Sequence, residues 1–72
     1  MTETDKALAA IGYAMRGQGK TQAELSEKLG KSQKYVSHAL RGKADLRLSE
    51  LAKISDWLGV PAHRLLRGET TP

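Results

Sequence analysis

Apolar positions recur three and four residues apart in successive stretches of this chain, the period of helix faces packed on a core. Leu8, Ile11 and Met15, with Ala7 and Ala14 beside them, predict a first helix, with Thr2 or Thr4 as its cap. Gly12 falls inside it, either to let another helix approach or with no packing role. Arg16-Gly-Gln-Gly-Lys20 interrupts the pattern and reads as a connection. Thr21, followed three residues later by Glu24, is a capping box that satisfies N–H groups at the start of a second helix. Leu25 and Leu29 share one face of that helix, and Gly30 is suited to end it. Ser32 can cap a third helix only two residues on, so the two axes must turn sharply, as in a helix-turn-helix.

Later stretches follow the same rule. Leu48, Leu51, Ile54 and Leu58, with Ala52 and Ser55 near them, predict the buried stripe of a fourth helix that Gly59 ends. Trp57 lies at the edge of that stripe, to pack on neighbouring helices or to meet another subunit. Pro61 suits the first position of a short fifth helix, because it has no N–H to leave unsatisfied. Leu65 and Leu66 close the core or seed a dimer contact. The expected organisation is one all-α domain over residues 1–68 and a flexible tail over 69–72.

The third helix carries the chemistry. At roughly 100° per residue, Gln33, Lys34, Ser37, His38 and Arg41 fall on one arc of about 140°, opposite Tyr35, Val36, Ala39 and Leu40. The polar arc contains no acid, whereas an ordinary solvated face mixes both signs. Such a face repels cations and attracts anions.

Charge sharpens this picture. The net charge is +4, and residues 1–30 and 48–72 are each balanced. The excess sits in 31–47, where Lys31, Lys34, Arg41, Lys43 and Arg47 face Asp45 alone. A local positive patch on an outward helix face is the footprint of a polyanion site.

The segments TQAELSEKLG, SQKYVSHALRGK and LSELAKISDWLGVP together resemble the Cro/C1-type (XRE-like) helix-turn-helix domain of phage repressors and bacterial regulators, from about Thr21 to Pro61. Three positions depart from the family pattern. Lys31 and Lys20 stand where apolar residues are common, and Ser26 stands where alanine is frequent. The family also tends to place Ser or Thr near position 47, where this chain has Arg47, so Asp45 is the expected cap of the fourth helix.

The resemblance implies a compact five-helix, repressor-like fold whose second and third helices form the motif, with the third in the major groove of double-stranded DNA. Gln33, Lys34, Ser37 and His38 are then the base readers, although His38 could instead face solvent or phosphate. Gln22, Ser32, Tyr35, Arg41, Lys43 and Arg47 are the phosphate candidates, with helix-start roles open for Gln22 and Ser32 and core cover for Tyr35. A repressor binding its operator as a weak or DNA-induced homodimer is the leading expectation; an antitoxin or a helical protein-binding module is the alternative.

Other function classes find little support. Seventy-two residues leave no room for a large enzyme's buried cleft. Ser37 and His38 are adjacent on a helix and point about 100° apart, so they form no nucleophile–base pair. With no cysteine and two histidines, neither a disulfide framework nor a closed zinc site is expected, and no cofactor or small-molecule ligand is evident. The apolar run 7–15 is too short for a membrane span and follows acids where a secretory signal needs cations, so a soluble cytoplasmic protein is expected.

Overall fold

The computed structural model describes residues 3–43 and 46–70. Five helices follow one another, α1 (Glu3–Gln18), α2 (Gln22–Leu29), α3 (Gln33–Leu40), α4 (Leu48–Leu58) and α5 (Ala62–Leu66), and no strand occurs among the described residues. The all-α, five-helix expectation holds, and α2 and α3 are the two helices joined by the tight turn.

That turn forms where its residues dictate. Glu24 N–H donates to Thr21 Oγ1 at 3.2 Å and Thr21 N–H to Glu24 Oε1 at 3.2 Å, which completes the capping box of α2. Gly30 adopts φ 67°, ψ 31°, a left-handed conformation open to glycine at little cost, and Lys31 N–H closes back on Ser26 O at 3.0 Å. Ser32 Oγ then accepts from Tyr35 N–H at 3.1 Å and opens α3. The other helices end in the same way, on Gly19, Gly42, Gly59 and Gly68, each followed by an N–H bonded to the carbonyl five residues back.

The stripes converge on one core. Ile11 of α1, Leu25 of α2, Val36 of α3, Ile54 of α4 and Leu65 of α5 are fully buried, together with Val60 in the α4–α5 connection. Each such side chain contributes about 1.5–3 kcal/mol relative to exposure. α1 packs on α3, α4 and α5, while α2 packs on α3 and α4. Ser26 is buried without penalty, because its hydroxyl donates to Ala23 O at 2.7 Å.

Several expectations need correction. α1 continues through Arg16 and Gly17 to Gln18, so most of the connection read at 16–20 is helix. A single interior glycine costs a helix only about 1 kcal/mol, and the stop comes at Gly19, where φ turns to 68°. Thr4 lies inside α1, while Thr2 and Asp45, the other proposed caps, lie outside the described residues. Leu48 is 85% exposed, not buried, and Ala52 is exposed too. Leu48 and Glu50 flank the α4 stripe on opposite edges, and Glu50 is the one that goes inside, against a side chain of α3. Pro61 stands one position earlier than expected, as the N-cap of α5. Beyond α5, the Glu69 N–H donates to Arg64 O at 2.8 Å, and its carboxylate meets Arg64 at 3.4 Å.

Lys20 has a definite place. Its ammonium lies 4.7 Å from the centroid of the Trp57 ring and donates to Trp57 O. Gln18 Nε2 donates to Leu58 O at 2.8 Å. Two side chains from the α1–α2 junction thus satisfy carbonyls at the C-terminus of α4, and the cation sits where the helix dipole favours it. Trp57 itself packs half-buried against the core.

Among the described residues no helix packs tightly on Gly12. A Cβ there would meet only Arg16 Nη1, at 3.6 Å, an ordinary contact. Gly12→Ala is therefore expected to raise stability by roughly 0.5–1 kcal/mol, read as a higher denaturant midpoint at unchanged slope; a lower midpoint would mean that the position is reserved for a neighbour.

Candidate nucleic-acid interface

The two arcs of α3 separate as the sequence pattern requires. Val36 and Ala39 are buried, Tyr35 and Leu40 half-buried, and on the other side Gln33, Lys34 and His38 are exposed. Ser37 is half-buried on the polar side, and Arg41, the residue after the helix, is exposed. The candidate base readers thus share one outward face that carries no carboxylate.

The phosphate candidates divide into groups. Gln22, exposed at the first position of α2, and Arg41, just beyond α3, line one cleft. Ser32 is exposed, and its oxygen already accepts the Tyr35 N–H, which leaves the hydroxyl proton available. Lys43 and Arg47 are exposed on either side of residues 44–45. Tyr35 stands apart. Its hydroxyl donates to Glu50 Oε1 at 2.8 Å, so its one proton is committed inside the protein.

Glu50 is the residue the sequence reading missed. It is only 5% exposed, and the same Oε1 accepts the Arg47 N–H at 3.0 Å while Oε2 is buried without a hydrogen-bond partner. One carboxylate therefore ties α3, through Tyr35, to the start of α4, through Arg47. The signal available was the spacing, since Glu50 stands three residues after Arg47 as Glu24 stands after Thr21. Arg47 has no side-chain acceptor, so only the returning half of a capping box forms. Lys31 completes the cluster, with its ammonium 5.7 Å from the centroid of the Tyr35 ring.

These contacts set the charge of Glu50. Burial raises its pKa, but this is outweighed by the Arg47 N–H, the Tyr35 hydroxyl and the positive charges of Lys31 and Arg47, and the net effect is a value below the ordinary carboxylate range. A carboxylate depressed on folding stabilises the fold above its unfolded pKa, about 4.3, and that contribution is lost as pH falls through the folded value. Acidification below about pH 4.3 should therefore destabilise the wild type more steeply than Glu50→Gln, as followed by thermal melts across pH. Tyr35→Phe removes one charge-assisted hydrogen bond and is expected to cost about 1.5–3 kcal/mol in the same assay at neutral pH. Equal acid slopes for wild type and Glu50→Gln would contradict this account.

Among the described residues no group of three or more His, Asp or Glu side chains could hold a metal ion, and no helix is long and apolar enough to cross a membrane. Among curated proteins and solved structures nothing matches the chain significantly. A family model described as helix-turn-helix matches residues 11–65, more than half of the 72 residues, from the middle of α1 to the core leucine of α5. The match spans the capped turn, the outward cationic face and the helices that support them, and the chain belongs to the Cro/C1-type (XRE-like) helix-turn-helix family of DNA-binding transcription regulators.

Proposed function

We propose that this domain is a sequence-specific repressor, of the phage-repressor or Cro-like kind, that lays α3 in the major groove of an operator and obstructs transcription from it. The observation that carries the reading is the acid-free outward face of α3, held proud of the core by Val36 and Ala39 on its other side. A helix of this size fits the major groove, where each base pair offers a distinct donor and acceptor pattern. Gln33 can pair both amide groups with adenine, and Lys34 can donate to the O6 and N7 acceptors of guanine. Ser37 can serve either base, and His38 donates or accepts. Gln22, Ser32, Arg41, Lys43 and Arg47 fix the register on the backbone without reading sequence. Tyr35 belongs to the support of α3 and not to this set, because its proton goes to Glu50.

Operators of this kind are read by two copies about one DNA turn apart, and a weak or DNA-induced homodimer in the cytoplasm suits a small domain of this family. Selection of bound duplexes from a random pool, followed by salt titration of the winner, tests the proposal. One enriched motif with two-fold character is expected. With about five phosphates neutralised per subunit, the logarithmic salt slope should be about −4 to −5 per subunit. Gln33→Ala should cost roughly 1–3 kcal/mol and relax one base position, while Lys43→Ala should flatten the slope by about one unit for every sequence. A chain that retains no duplex at low ionic strength would end the proposal.

A further inference from the structure

We infer that Glu50 is a positioning residue for DNA recognition: its Oε1 fixes the register between the outward face of α3 and the backbone contact at Arg47, and so sets sequence discrimination without touching DNA. The inference rests on the DNA-binding reading and adds to it a residue from the protein's interior. The same Oε1 accepts the Tyr35 hydroxyl at 2.8 Å and the Arg47 N–H at 3.0 Å. Tyr35 follows Lys34, a proposed base reader of α3, and Arg47, exposed at the start of α4, is a proposed phosphate contact. The two halves of the proposed interface thus meet at one atom.

The packing of the helices makes this link matter. Among the described residues α3 packs on α1 and α2, and α4 is not one of the helices whose backbone lies against it. The Tyr35–Glu50 bond therefore joins α3 to an element that backbone packing leaves independent of it. Residues 41–46 separate the end of α3 from Arg47, and a connection of that length can span a range of distances, so the covalent path does not set the register either. Glu50 suits the part of a fixed point. It is 5% exposed, and its Oε2 carries no hydrogen bond, so the tie runs through Oε1. Hydrogen bonds to an ionised carboxylate are shorter and stronger than neutral ones. Phosphate contacts position a protein and base contacts specify sequence, so a binding constellation displaced by more than about 0.5 Å loses paired hydrogen bonds even when every side chain is present.

The test uses the full chain, the duplex selected above and a scrambled duplex of equal length, with both affinities measured by fluorescence anisotropy at one salt concentration and their ratio as the readout. Loss of folded protein weakens both duplexes by the same factor, and loss of a negative charge near DNA strengthens both. A register error lowers the ratio. Glu50→Ala should lower it about five- to tenfold, the lower part of what one bidentate base contact is worth. Tyr35→Phe keeps the ring, loses only the hydroxyl and should lower the ratio in the same direction; it decides the question alone if Glu50→Ala does not fold. Glu50→Gln keeps an oxygen for both donors while removing the charge, and should hold the ratio near the wild-type value. A wild-type ratio in Tyr35→Phe, or in folded Glu50→Ala, overturns the inference while sequence-specific binding stands. So does a fall in Glu50→Gln as large as in Glu50→Ala, which would trace the effect to charge and not to the two hydrogen bonds. A wild type that favours neither duplex overturns this inference together with the DNA-binding reading beneath it.

Discussion

Everything this fold offers to a partner depends on the three residues that separate α2 from α3. Gly30 takes a left-handed conformation and Lys31 N–H returns to Ser26 O, which ends one helix, while Ser32 begins the next through the Tyr35 N–H. With so little chain between them, the two helices cannot lie along a common axis, and their relative angle is settled locally before any distant contact is made. The core then only has to accept that angle. Leu25 and Val36, one from each helix, meet the same cluster as Ile11 and Ile54 and fix which way α3 faces.

A second layer of control holds α3 in place from behind. Glu50 of α4 is buried and accepts from Tyr35 of α3 and from the Arg47 N–H. Turned inward, its negative charge is occupied by hydrogen bonds and by the nearby charges of Lys31 and Arg47. The outward face of α3 carries no carboxylate. The buried Oε2 of Glu50 carries no hydrogen bond, a cost that shape alone does not explain and that the positive surroundings offset.

Most of this architecture was legible because its determinants are local. The Thr21–Glu24 capping box, the Ser32 cap, the helix-ending Gly30 and Gly59 and the partition of α3 into two arcs depend on residues at most a few positions apart, and each appears where the spacing placed it. What escaped depends on which element covers which edge. Leu48 and Glu50 are equally placed at the margins of the α4 stripe, and hydrophobicity favoured the wrong one; the Tyr35 side chain reaches the Glu50 edge, and among the described residues nothing comparable covers Leu48. The same limit hid Lys20, whose partners lie 37 residues away at the end of α4.

The junction between Lys20 and Trp57 has a practical consequence. Trp57 is the sole indole in the chain, and a cation rests over its face where α4 ends. Its emission is thus a built-in optical gauge of that single corner, responding when the ammonium leaves the ring. Because the gauge belongs to the junction of α1 and α4 rather than to α3, opening of the scaffold can be watched without attaching a dye and without disturbing the outward side chains of α3.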